Sequence, residues 1–531
     1  MTKTRNTREY QTWDEPIPVG VRSNLDSTVD FDESPFAGRF DVELGRPRLR
    51  ANQSKHSELS MLQMCEMAAA FAPTWETAAK LTNDGHLPDT TAPDRRGRPS
   101  TINASVALVI ETMIWIFGSS RNTFRQLDDR KVWKRLRKAS KRAWPDHPER
   151  RLPRRAPSRH AYNRFRPYLL QPEAADAIES LHQQFAAAAA LDMGHFQPDD
   201  GSLMDPSPLR AIAGDGTWLQ AMFNTTDERW VDPTTGEIFS RRTDPDATPF
   251  HTSAQRAGNM LVTVLSVSPH SNERILLAHS FCAKGRDAHT FVELVAGLQT
   301  RLPGIQSVIY DMAFRGQQAD QVLKMGILPI HKLPRRKNRA VPETNLGPLP
   351  FRCDGRDFTR EVVAYNGRPC VITTLADGSQ YYSPLELAKI QRNLNRGRTE
   401  YSVYAEWRLT SEGSRRLDEG GAITRIAMTS KKGERGRPSD HLRLFPEGTK
   451  QFNAMFGYRE GVESNNHHIK QMLPGTRTRH IGLAKKRLSI CALQTVSMLN
   501  ALYCWARRTG GDLSRWFGAL RPPGLGPPIA A

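Results

Sequence analysis

Three acidic residues, far apart in the chain, are of a type and setting that could do chemistry: Asp215, Asp311 and Glu463. Glu463 lies in the stretch F-G-Y-R-E-G-V-E-S-N-N-H-H-I-K, residues 456–470. Helical spacing puts Phe456, Arg459, Glu463 and Lys470 on one narrow stripe. Met455, Val462, Ile469 and Leu473 form an adjoining apolar stripe, and Pro474 ends the run. After Glu463 no Asp or Glu recurs before Asp512, whereas Lys470, Arg477, Arg479, Lys485, Lys486 and Arg487 all do. A lone carboxylate in so basic a stretch points to a metal ligand in a phosphate-binding trough. The competing expectation is a solvated polar face, on a helix weakened by Gly457 and Gly461.

Asp215 sits between Gly214 and Gly216, where missing side chains would let a bulky backbone such as DNA come close. Alone it would read as a turn aspartate. Asp311 closes the short apolar run 307–310, a place where a buried carboxylate needs a partner such as a metal ion. Its alternative is to cap the helix that follows. The separations are 311 − 215 = 96 and 463 − 311 = 152 residues.

The elements that must position these residues begin with a chain of 531 residues, long enough for two to four domains. A formal net charge of +19 calls for a polyanionic partner, and nucleic acid fits better than a membrane surface. No apolar run is expected to span a bilayer, and the best candidate, 102–118, reads as a buried helix. The six cysteines are scattered without a C-x-x-C pair, which fits reduced thiols in a cytoplasm and gives no support for structural zinc.

Residues 1–56 read as an irregular arm and 57–170 as a basic all-α, helix-turn-helix-like DNA-binding region. Within it helices are expected over 102–117, 122–141 and 158–170, and residues 121–166 hold 17 Lys or Arg against 4 Asp or Glu. A helical linker (171–208) leads to an α/β core of mixed sheet and helices, 209–340. A β-rich insertion (341–445), C-terminal core helices (446–510) and a Pro/Gly-rich tail (511–531) complete the chain. Two Arg-Gly-Arg-Pro tetrads, containing Arg98 and Arg437, resemble the AT-hook core, which implies minor-groove contacts; the alternative is a plain basic linker.

Arg459, Glu463 and Lys470 match the R-x3-E-x6-K part of the Y-x2-R-x3-E-x6-K signature, and the chain resembles DDE-class transposases of bacterial insertion sequences. The signature tyrosine falls on Phe456, which keeps the ring and lacks the hydroxyl. The stretch D-M-A-F-R-G from Asp311 resembles the family's D-x-G-[FY] element, with Ala313 in the glycine place. The resemblance covers roughly residues 205–505 and implies an RNase H-like core: first Asp on strand one, second Asp after strand four, Glu on a late helix beyond an insertion.

It further implies that Asp215, Asp311 and Glu463 hold two Mg²⁺ ions, with Mn²⁺ as a substitute, for DNA cleavage and strand transfer. Arg459 and Lys470 would bind phosphates, with Phe456 against a displaced base. Glu460 is set aside as a ligand by the R-x3-E spacing, and His467 and His468 are expected to contact phosphate or pack. The implied partners are double-stranded DNA at the element's ends and target, and a second copy of the chain; the implied location is the bacterial cytoplasm, at the nucleoid. The alternatives are a catalytically inactive, transposon-derived DNA-binding protein and an RNase H-like nuclease that cuts without joining.

Overall fold

The protein is described by a computed structural model covering residues 59–88, 102–198, 200–221, 244, 246–250, 253–334, 343–374, 377–378, 380–394, 399–410, 420–431, 437–471, 477–478, 482–522 and 524–525. Two further strand pairs, Phe40–Asp41 with Arg46–Pro47 and Arg229–Val231 with Ile238–Ser240, are described by backbone pairing. The rest of the N-terminal arm and Arg98 lie outside the described residues.

The first layer is helical: α1 (Met61–Ala70), α2 (Ala72–Asn83), α3 (Ala104–Phe117), α4 (Ser120–Asp128), α5 (Arg130–Ala143), α6 (Arg159–Leu169) and α7 (Pro172–Asp192). Each start has a local cause: Ser60 and Gln63 form a capping box on α1, and Asn103 accepts from the Val106 amide on α3. Helix α3 is apolar almost all round and buried, and Gly118, at φ 77°, closes it. The expected helix over 122–141 is two helices. Asp129 is extended and its carboxylate accepts from the Lys131 amide, which ends α4 and starts α5.

The core sheet contains β1 (Ala211–Ala221), β2 (Ser253–Ser266), β3 (Leu276–Cys282), β4 (Ser307–Ile309) and β5 (Leu328–Ile330). Their spatial order is β5-β4-β1-β2-β3, with β4 and β5 parallel to β1's direction and β2 antiparallel to it. Two short strands, Thr248–Phe250 and Arg477–Thr478, extend this sheet beside β2 and β1. Helices α8 (Asp287–Gln299) and α9 (Gly316–Lys324) link the strands, so the architecture is mixed α/β.

A second, wholly antiparallel sheet forms the insertion: β6 (Thr344–Cys353), β7 (Arg356–Tyr365), β8 (Arg368–Thr374), β9 (Gln380–Pro384), β10 (Glu386–Leu394), β11 (Tyr401–Arg408) and β12 (Ile423–Ala427). Asp354-Gly355 and Asn366-Gly367 turn its first hairpins with positive φ at both residues, the geometry that matches strand twist.

The chain closes with α10 (Pro438–His441), α11 (Lys450–Phe456), α12 (Arg459–Gln471), α13 (Leu483–Thr509) and α14 (Ser514–Phe517). Helix α13 has the length and apolarity of a membrane-crossing helix, contrary to the expectation that no such run exists; its uncharged run 488–506 carries Ser489, Gln494 and Thr495. Most of it, 72% of the apolar window, is buried inside the fold. The side chain of Trp115 in α3 donates to Ser489, His182 in α7 meets Thr495, and Gln494 donates to the Leu276 and Leu277 carbonyls of β3. One helix therefore joins the N-terminal helices to the core sheet. All six cysteines are free thiols.

Candidate active site

Strand pairing sets the first two acids side by side. In the parallel β1–β4 pair Ala211 faces Ser307 and Ala213 faces Ile309, so two residues further on each strand the chain reaches Asp215 and Asp311. The Asp311 carboxylate accepts from the Ala313 amide at 2.8 Å, and its carbonyl accepts from Phe314, which makes a tight turn. Helix α9 starts later, capped at Arg315, so Asp311 is no helix cap.

The glycines beside Asp215 have a different cause from the one their sequence suggested. A Cβ on Gly214 would lie 2.1 Å from the Phe291 ring, and one on Gly216 would lie 2.9 Å from Cβ of Asp287. Both residues belong to α8, which packs onto the sheet at van der Waals distance. Close helix packing, rather than access for DNA, accounts for the two glycines.

Glu463 and Arg459 come from α12, which turns Val462, Asn466 and Ile469 into the core. The chain breaks at Gly457-Tyr458, so Phe456 ends α11 and does not share the helix of Arg459, Glu463 and Lys470. Phe456 stacks on Phe452 with ring centroids 4.8 Å apart, and Lys332 Nζ lies 5.0 Å from its ring. Lys470 is half-buried two turns beyond Glu463.

The Arg459 guanidinium links the acids. Nη1 pairs with Glu463 Oε1, and Nη2 lies 4.0 Å from Asp311 Oδ2. Burial pushes the Asp215 carboxyl up to about 6 from an ordinary 3.8; Arg459 opposes this, Asp311 adds to it, and the Asn466 and Gly216 donors offset part. Burial also raises Asp311, against the Ala313 amide and Arg459, with Asp287 and Glu463 pushing the same way as burial.

Three residues of the site, Asn466, Thr263 and Asp287, escaped the sequence reading. Asn466 donates from Nδ2 to Asp215 Oδ2 at 3.1 Å, and Thr263 Oγ1, opposite Asp215 in the β1–β2 register, donates to Asn466 Oδ1 and so fixes the amide's orientation. Its position three residues after Glu463, on the inward face, was the available signal. Asp287, first residue of α8, accepts from the Tyr310 hydroxyl at 3.2 Å. Nothing in its local sequence distinguished it from an ordinary helix start.

The basic run after Glu463 is also less free than it reads. Lys486 is buried and pairs with Asp244, and Arg487 pairs with Asp176 and Glu179. Arg437 is extended and immediately precedes α10, whose Ser439 donates to the Gly316 carbonyl at the start of α9, the helix after the Asp311 turn.

The donor set of Asp215, Asp311 and Glu463 is hard oxygen, which suits Mg²⁺ or Mn²⁺. Among the described residues no three His, Cys, Asp or Glu side chains converge on a single cation position. Here the charge of Arg459 stands between Asp311 and Glu463 and offsets both.

No family model and no curated protein matches this chain. Among solved structures, a cryo-EM structure of a piggyBac transposase synaptic complex with hairpin DNA is similar over 84% of this chain and 74% of that one, at 10% identity and a TM-score of 0.31. That is a faint likeness of shape.

Proposed function

We propose that the protein is a DNA transposase of the DDE class, with an RNase H-like core and the signature of bacterial insertion-sequence enzymes. The observation that carries this reading is the placement of Asp215, within β1, level with Asp311, two residues past the end of the adjacent parallel β4, with Arg459 linking Asp311 to Glu463 on a helix beyond the insertion. The strand order supports it: Asp215 is on the first of the five core strands and Asp311 directly follows the fourth.

In this reading Asp215, Asp311 and Glu463 would hold two Mg²⁺ ions, for which Mn²⁺ could substitute. Bound there, the ions would activate the attacking oxygen and stabilise the leaving oxygen of a phosphodiester. Arg459 and Lys470 hold phosphates beside the reacting bond, and Phe456 offers a ring to an unstacked base. Water attacks first, the P–O bond to the 3′ oxygen breaks, and a 3′-OH is released at the element's end. That hydroxyl then attacks a target phosphodiester in line, the target's own P–O bond to its 3′ oxygen breaks and releases a target 3′-OH, so no covalent protein–DNA intermediate forms. Joining two ends requires two copies of the chain, in a bacterial cytoplasm at the nucleoid.

The test uses labelled element ends, unlabelled target duplex and Mg²⁺. A transposase nicks and joins; a nuclease nicks only; a DNA-binding protein merely shifts the duplex. Glu463→Gln is expected to abolish cleavage while end binding stays within a few-fold. Retained cleavage in that variant would remove Glu463 from the site.

A further inference from the structure

Helix α5 reads R-K-V-W-K-R-L-R-K-A-S-K-R-A and has two opposed faces. Trp133, Leu136, Ala139, Ser140 and Ala143 are buried, and the following Trp144 donates to the Ala70 carbonyl at the end of α1. On the other side Lys131, Lys134, Lys138 and Lys141 are exposed, spaced three, four and three residues apart, so they form one stripe. Ten residues at 1.5 Å give it a length of about 15 Å.

The stripe's charge is not neutralised. Arg135, Arg150 and Arg166 nearby are taken by Glu66, Glu76 and Glu111. Among the described residues no carboxylate pairs with the four lysines. Like charges at this spacing destabilise a helix by roughly 0.2–0.5 kcal/mol per pair, so the fold gains nothing from the stripe. A polyanion would.

The geometry also says how such a polymer lies. Asp128 and Asp129 are exposed at the start of α5, and Asp129 caps it, which puts negative charge where a groove-reading helix presents donors to base edges. Along about 15 Å of duplex axis, one strand carries about four phosphates, which matches four lysines.

We propose that the lysine stripe of α5 docks along the phosphate backbone of duplex DNA without reading base sequence. The choice of DNA as the polyanion rests on the transposase reading; the charged face itself does not.

The test measures binding of the full chain to two unrelated 30-base-pair duplexes by fluorescence anisotropy, across a salt series. In the variant with Lys131, Lys134, Lys138 and Lys141 all changed to Gln, the slope of log affinity against log salt should fall by roughly 3–4. Affinity should drop by the same factor for both duplexes, on the order of 100-fold at low salt. The corresponding Lys→Arg variant should restore the slope. All four side chains are exposed, and circular dichroism and melting checks that the variants fold. An unchanged slope, a loss confined to one duplex, or stripe-dependent binding to anionic vesicles but not to duplexes would overturn the proposal. Stripe-dependent DNA binding without cleavage or joining by the wild type would instead overturn the transposase reading and leave the stripe standing.

Discussion

Replacing Asp215 by asparagine should make the metal-free protein more stable and catalytically dead. The carboxyl ionises near 6 in the folded chain, against an ordinary 3.8, because burial and the neighbouring Asp311 disfavour its charge. That difference corresponds to about 3 kcal/mol held against folding once the group is ionised. Between pH 3.8 and 6 the folded chain keeps a proton that the unfolded chain has lost. Stability therefore falls as pH rises through that window, and above it the full cost stands. An asparagine carries no charge and can still accept from Asn466 Nδ2. Arg459 loses one favourable neighbour, which trims the gain to roughly 1–3 kcal/mol.

With an unfolding entropy of about 2.1 cal/mol/K per residue, that gain is a rise in Tm of about 1–3 °C. Scanning calorimetry at pH 8 should show the rise, and the same pair of proteins at pH 4 should melt together. Added Mg²⁺ should raise the Tm of the wild type and leave the variant nearly unchanged. A variant that melts at or below the wild type at pH 8 would refute the claim that this carboxylate is held against its own charge.

Gly214→Ala should cost about 1–3 kcal/mol or more by driving a methyl group into the Phe291 ring, and Gly214→Ala with Phe291→Leu should recover part of it in thermal melts. Lys486→Ala leaves Asp244 buried without its cation, and an unfolding titration should show a loss of about 3–5 kcal/mol; Lys486→Met with Asp244→Leu should lose less. Lys470→Ala should weaken binding of element ends and lower the salt slope by about 1 in a gel-shift series, with little effect on melting.

The order of elements could be read from the residues because hydrophobic periodicity and turn dipeptides are local signals: the apolar run before Asp311, the Asn366-Gly367 turn and the uncharged stretch within α13 each carry their own cause. Partners distant in sequence could not. Gly214 and Gly216 look like openings until α8 is seen filling the space, and Lys486 and Arg487 look free until Asp244, Asp176 and Glu179 arrive from elsewhere. Asn466 has meaning only beside Thr263 and Asp215, which strand pairing brings together. The break at Gly457-Tyr458 was signalled by its glycine but overridden by the apparent stripe from Phe456 to Lys470.

Helix α13 is anchored to α3 through Trp115, to α7 through His182 and Arg487, and to β3 through Gln494. Severed from it, neither the N-terminal helices nor the sheet would keep a closed interior, so halves of this chain expressed apart should aggregate. The same mast connects the helix layer that holds α5 to the sheet that carries Asp215. In the proposed function, a duplex held along the one would be presented to the other, as work is held in a vice.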